Sequence, residues 1–228
     1  PRPRASLIGK RVQLNAGAAD SGIQLNNAEE FTQDSTLIFS LRVESPAAFT
    51  RDASVEIGST DAPLATLSLA NGLLTLENRQ VAVATLQPAK LLGPSGFGAL
   101  QFRLNIDGVS GDWQPLATLV RLPQLKELQC PATAELACKL TGSELFLLDS
   151  VSGDEHFEHP TSVPPGFLGT ALPVPHPQSG RLFVKLRDNP TLVHAASVAI
   201  QPLPPAADAE RTAARQTAAG AEVADSPP

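Results

Sequence analysis

Gly98-Ala99-Leu100-Gln101-Phe102-Arg103-Leu104-Asn105-Ile106-Asp107-Gly108 is the stretch whose reading decides the fold class. Leu100, Phe102, Leu104 and Ile106 alternate with Gln101, Arg103, Asn105 and Asp107. Successive side chains of a strand point to opposite faces, so this segment has one face to bury and one to leave wet. Asp107-Gly108 ends it as a turn. The glycine-rich run before it, Gly93-Pro94-Ser95-Gly96-Phe97-Gly98, opens a strand. Cradling a phosphate requires such glycines to open a helix, so this is no dinucleotide fingerprint.

The same period of two recurs upstream. Residues 35–43 set Leu37, Phe39, Leu41 and Val43 against Ile38, Ser40 and Arg42, and Pro46 follows. Apolar stretches at 64–70 and 73–77 flank Asn71-Gly72, a pair that predicts a hairpin because both positions tolerate positive φ. Val81, Val83 and Thr85 predict a short strand closed by Pro88, and residues 116–122 another before Pro123. Six or more short strands separated by turn signals over 5–123 are the pattern of a β-sandwich.

A second unit begins near Leu125. Leu136–Leu148 is apolar with an interruption at Thr141-Gly142-Ser143, and 149–168 is a long irregular segment rich in acids, His and Pro. Leu168–Val174, Leu182/Val184/Leu186 and Val193–Ile200 predict further strands, with prolines following at 202, 204 and 205. Gly98-x-Leu100-x-Phe102-x-Leu104 and Gly180-x-Leu182-x-Val184-x-Leu186 share a pattern, each followed by a turn and a closing strand. That repetition suggests the end of one sandwich used twice.

Composition agrees with strands. The chain has 228 residues with 21 prolines and 16 glycines, and proline breaks helix interiors. With 42% hydrophobic and 18% charged residues it can bury a core. A net charge of −6 argues against a nucleic-acid surface, which needs clustered Lys and Arg. No apolar run approaches the ~20 residues of a membrane helix. The chain holds no methionine, so Pro1 is not a translation start and a processed or missing beginning is expected. Residues 1–6 read as a linker. Residues 206–228 contain nine alanines but no apolar stripe, and read as a flexible, disordered or loosely helical tail.

The second unit resembles the IPT/TIG group of immunoglobulin-like domains. Leu140-Thr141-Gly142-Ser143-Glu144-Leu145 is similar to that group's early strand, and Leu172-Pro173-Val174-Pro175 with Gly180-Arg181-Leu182-Phe183-Val184 to its closing strands. The likeness spans about 125–202, while the long 149–168 loop and the two cysteines depart from it. It implies a small β-sandwich serving as a spacer or binding module. The expected fold is therefore all-β: two tandem immunoglobulin-like sandwiches at 7–123 and 124–205, with a flexible Ala-rich C-terminal tail.

Chemistry-bearing residues are sparse. G-x-S-x-G, H-E-x-x-H and P-loop patterns are absent from the sequence. Cys130 and Cys138, the only cysteines, have no second pair and no nearby histidine in sequence, which argues against zinc. A local disulfide is expected, with two buried thiols as the alternative; a disulfide would imply an oxidising compartment. Asp154-Glu155-His156-Phe157-Glu158-His159 is the densest polar cluster. His156, His159 and Asp154 are the metal candidates there, with Asp149, Asp154 and Glu155 for calcium. A solvated acidic loop is the plainer reading. Trp113, the single tryptophan, could stack on a sugar ring or pack over the end of a core. His176 and His194 are isolated and expected at the surface.

These observations lead to a non-enzymatic secreted, periplasmic or cell-surface protein without a cofactor. It would act as a spacer or subunit through sandwich edges and terminal segments, with other protein subunits of a surface assembly as partners. The alternative is a carbohydrate-binding or accessory module of a larger secreted enzyme, with glycan as ligand. A metal-responsive periplasmic protein using His156 and His159 is a third reading.

Overall fold

The computed structural model describes residues 2–17, 20–25, 29–60 and 62–203. The protein is nearly all β. In its N-terminal half the strands are β1 (Ala5–Leu14), β2 (Glu30–Phe31), β3 (Ser35–Val43), β4 (Ser54–Ser59), β5 (Ala62–Ser68), β6 (Leu74–Leu76), β7 (Val81–Leu86), β8 (Gly98–Ile106), β9 (Val109–Ser110) and β10 (Gln114–Leu119). One short helix, Pro88–Leu91, lies between β7 and β8. The C-terminal half holds β11 (Gln124–Cys130), β12 (Cys138–Ser143), β13 (Leu148–Ser152), β14 (Thr161–Ser162), β15 (Ala171–Val174), β16 (Leu182–Leu186), β17 (Asn189–Ala196) and β18 (Ala199–Pro202).

These strands form four sheets, ordered β1-β3-β7-β6, β2-β10-β8-β4-β5 with β9 on β8, β15-β12-β11-β18, and β14-β13-β16-β17. The first two sheets face each other over one core. Leu37, Phe39 and Leu41 of β3 meet Leu100, Phe102 and Leu104 of β8, and the Phe39 and Phe102 rings lie 6.1 Å apart. The last two share a second core built on Leu128, Leu140, Val151, Leu172 and Val184. Paired sheets with alternating inward residues are the arrangement of a β-sandwich.

Several sequence expectations are corrected. Asn71-Gly72 is a turn but not a hairpin. β5 pairs with β4 and β6 with β7, so the chain crosses there from one sheet to the other. The Asn71 side chain makes the corner by accepting from the Ser68 and Leu73 amides and donating to the Thr66 carbonyl. The reason is burial: only Leu67 of β5 is fully buried, and continuing the ladder past it would leave Leu74 outside the core. In β7 the inward face carries Ala82, Ala84 and Leu86, while Val81, Val83 and Thr85 are only half-buried. The Thr141-Gly142-Ser143 interruption lies inside β12.

The expected linker at 1–6 is partly structural, since β1 starts at Ala5, paired with Val43. Ile23 and Val120, both from the first half, belong to the second core. The Ala-rich tail at 206–228 lies outside the described residues.

Cys130 ends β11, Cys138 begins β12, and the two are joined as a disulfide. The bridge closes the exposed 131–137 loop, whose unfolded-state entropy it removes. For so short a loop the chain-entropy model gives about 2.6 kcal/mol. The double variant Cys130→Ala/Cys138→Ala is expected to unfold in urea with roughly that much less stability, the loss confined to the transition of the second core. An unchanged urea midpoint would assign the bridge no stabilising role.

Candidate functional site

The most heavily built polar site joins the two halves. It begins with β2, a two-residue strand that pairs parallel with β10, Glu30 beside Thr118. This register sends the Glu30 side chain out of the first core and towards β17. Glu30 is 1% exposed and His194 of β17 is 0% exposed. Glu30 Oε1 accepts a 2.6 Å hydrogen bond from Asn189 Nδ2, and His194 Nε2 lies 3.2 Å from Oε2. The His194 contact is close enough for an ion pair but is not aligned as a hydrogen bond, and His194 Nδ1 has no partner among the described residues.

At the rim of this contact Arg121 grips Asp188, the residue before β17. Its Nε donates to Oδ2 at 2.9 Å, a terminal nitrogen donates to Oδ1 at 2.6 Å, and its backbone N–H donates to Oδ2. Two-point guanidinium–carboxylate bonding fixes direction as well as distance. The hydrogen bond to Asp188 holds the Arg121 guanidinium above its ordinary pKa. The other face of that guanidinium covers the Phe97 ring, 3.6 Å from its centroid. Arg121 is thus held by a residue from each half.

The backbone completes the junction. Ile23 bridges to Ala196, Gln24 N–H donates to the Ala195 carbonyl, and Ser197 N–H donates to the Gly22 carbonyl. The 20–25 segment therefore extends the free edge of β17. Beside it opens a groove of about 1450 Å³ with Lys10, Arg11, Leu14, Asp34, Glu144 and Phe146 among its walls. Clefts between packed units are common places for ligands.

The residues singled out from sequence fare differently. His194, expected at the surface, is fully buried because β17 faces the first half as well as its own core. His156 and His159 are exposed, and His156 lies 3.6 Å from Glu155 with both side chains open to solvent. Asp154 is turned to local work. Its carboxyl sits below the ordinary value chiefly because the Ser152 hydroxyl donates to it, helped by the backbone N–H groups of Glu158, His156 and Phe157. Among the described residues these three do not come together as a ligand set. His176 is half-buried at the edge of the second unit.

Trp113 is half-buried on the outward face of the β4–β8 sheet. Arg103 lies 4.5 Å from its ring centroid, and Arg103 in turn pairs with Glu56 across the sheet. The benzo edge rests on Gly58, where a Cβ would fall 2.6 Å from Trp113 Cη2 and 2.5 Å from the Ala62 carbonyl oxygen. Trp113 thus covers a sheet face, with Gln101 and Asn105 standing outward on the same strand. Glu30, Arg121, Asp188 and Asn189 were not anticipated. They lie in no motif, and their partners are 67 to 164 residues away in sequence.

No family model matches the chain, and no curated protein does. Among solved structures it is similar to the SGBP-B protein of the mixed-linkage glucan utilization locus of Bacteroides ovatus, in complex with a mixed-linkage heptasaccharide. The identity is 10% and the TM-score 0.24, covering 88% of this chain and 61% of that one. The chain therefore spans about three fifths of that protein's length. A superposition this loose transfers neither residue roles nor ligand. No helix among the described residues is long and apolar enough to cross a membrane.

Removing Glu30 takes away the acceptor of the Asn189 amide and the carboxyl group that faces the buried His194 ring. Glu30→Leu is therefore expected to destabilise the protein by about 2 kcal/mol in urea unfolding. The double variant Glu30→Leu/His194→Leu should recover part of that loss, because the imidazole is no longer left without the carboxyl it faces, while the Asn189 amide still lacks its acceptor. Additive losses in the double variant would show that the two side chains are not coupled.

Proposed function

We propose that this protein is a non-catalytic rigid module, two immunoglobulin-like sandwiches in tandem with the second of the IPT/TIG kind, that spaces or presents its neighbours in an extracellular assembly. The observation that carries this reading is the junction. A flexible tether would leave the two halves joined by solvated linker residues. Here Glu30 and His194 are buried between them with the half-buried Asn189 beside them, Arg121 and Asp188 lock the rim, and the 20–25 segment hydrogen-bonds to β17. Such a contact makes length and orientation properties of the molecule, which is what a spacer has to supply. The disulfide supports an oxidising compartment, outside the cell or in a periplasm.

Nitroxide labels at Arg51→Cys and Ser179→Cys, exposed positions in the two halves, test this directly. Pulsed dipolar spectroscopy is expected to give one narrow distance distribution, broadened when Asp188→Ala is added. A broad distribution in the unaltered junction would remove the rigid-spacer reading.

A second reading is favoured by one feature, the outward sheet face around Trp113. Glu56, Gln101, Arg103 and Asn105 offer hydrogen-bonding groups beside an indole, the mixture that sugar recognition uses. Because Arg103 already lies over the ring, a sugar would meet the guanidinium and the exposed ring edge together. On this reading a glycan panel yields binding that falls about tenfold or more in Trp113→Ala or Arg103→Ala. Binding that survives both substitutions would place any glycan elsewhere.

A further inference from the structure

Among the described residues, one set of metal-ligating atoms converges: the sulfurs of Cys130 and Cys138 and a ring nitrogen of His176 all lie within 4.8 Å of one another. Sequence spacing conceals this, since His176 is 38 residues beyond Cys138. Pairing brings it back. Cys138 opens β12 opposite Val174 of β15, and His176 follows Val174 by two residues.

The histidine is delivered by a stiff piece of chain. Pro175 and Pro177 flank it, each with its φ fixed by the ring. The backbone of 176–178 is pressed against Gly153: a Cβ there would collide with the His176 carbonyl oxygen, and Gln178 N–H donates to the Gly153 carbonyl. Both sulfurs are buried, Cys130 at 5% and Cys138 at 1% exposure. His176 is half-buried and lines an open concavity of about 940 Å³ that also holds Glu135, His159 and Gln178. An ion could reach the imidazole from that side.

We propose that in its dithiol form the chain carries a three-ligand zinc site made of Cys130, Cys138 and His176, and that forming the disulfide abolishes it. Two thiolates and one imidazole are a borderline-soft set suited to Zn²⁺, and three protein ligands leave a fourth position open. Zinc–sulfur bonds of about 2.3 Å and a zinc–nitrogen bond of about 2.0 Å place ligand atoms roughly 3.5–3.8 Å apart. The sulfurs must move apart, which reduction permits, and the ring nitrogen must close by up to about 1.3 Å.

The chemistry balances with a phosphine as reductant. Phosphine, water and the disulfide give two thiols and a phosphine oxide, the disulfide taking two electrons and two protons. Each thiol then releases its proton as zinc binds, so one Zn²⁺ replaces two H⁺. Metal and disulfide compete for the same two sulfurs. Bound zinc therefore protects the dithiol against re-oxidation, and the bridge excludes zinc.

The test uses the full chain, reduced by a phosphine that is removed by anaerobic desalting, in competition with a chromophoric zinc chelator. One zinc per reduced chain and none per oxidised chain are expected, and zinc should slow re-oxidation by oxidised glutathione. Cobalt(II) in place of zinc should give a thiolate-to-metal charge-transfer band. His176→Ala should weaken zinc binding by about tenfold or more, while His156→Ala should leave it unchanged. Far-ultraviolet circular dichroism follows the fold throughout. If reduction loosens the second unit, zinc is expected to restore its strand signal.

Failure of the reduced chain to take zinc from the chelator overturns the proposal. So does equal binding by the oxidised chain, or wild-type affinity in His176→Ala. A reduced chain that unfolds and is not rescued by zinc does so as well. The oxidised His176→Ala protein keeps its bridge, so its fold can be verified before reduction.

Discussion

Glu30 presents a carboxylate with no access to water, and a carboxylate so placed must be met by donors of its own. The hydrogen bond to it comes from Asn189, and the imidazole of His194 faces its other oxygen at 3.2 Å; both residues lie about 160 positions further along the sequence. Apolar contacts such as those of Ile23 and Val120 with the second core drive association but are non-directional. The hydrogen bonds to Glu30 and Asp188 have preferred angles, so they select one orientation among those the apolar surface would accept. The positions of β2, β10 and β17, and through them of all four sheets, follow from these few polar groups. Arg187 extends the same logic inside the second unit. It donates to the Phe146, Leu148 and Val163 carbonyls and so holds the segment that faces the groove.

The strands with a clean period of two were legible from residues alone. β3 and β8 bury the residues their alternation marks, and so does β16, with Leu182, Val184 and Leu186 inside. β1 was not legible. It is an edge strand with only Ala5 fully buried, and its Lys10 runs under the edge to Glu29 and the Leu116 carbonyl. A charged side chain in that position guards an open strand edge and blurs the hydrophobic signal at the same time. Asn71-Gly72 marks a turn correctly, but a turn signal does not say which strands pair across it. Pairing depends on burial at residues such as Leu67 and Leu74, which lie in different sheets.

The candidate sites divide along the same line. Local density pointed to 154–159, where six polar or aromatic residues crowd together. Side chains adjacent on a turn fan outward, however, and only a fold can turn them towards a common point. The groups that do converge come from different strands and the residues next to them: Glu30 with His194 and Asn189, Arg121 with Asp188, Cys130 and Cys138 with His176. Each needs the topology before it can be seen. Trp113 lies between these cases, because its place on a sheet face follows from the short β9–β10 connection, while its cover by Arg103 follows from cross-strand register with Glu56.

The 20–25 segment has a consequence for synthesis. It leaves the ribosome well before β17, the edge it extends. The first half can collapse around Phe39 and Phe102 while translation continues, but β2 then carries Glu30 without its imidazole. Contacts across so long a span raise contact order and slow the final step. Maturation is therefore vectorial only up to the junction. A nascent chain arrested anywhere before residue 189 would leave Glu30 without Asn189 and His194, and the 20–25 segment without the strand it pairs with.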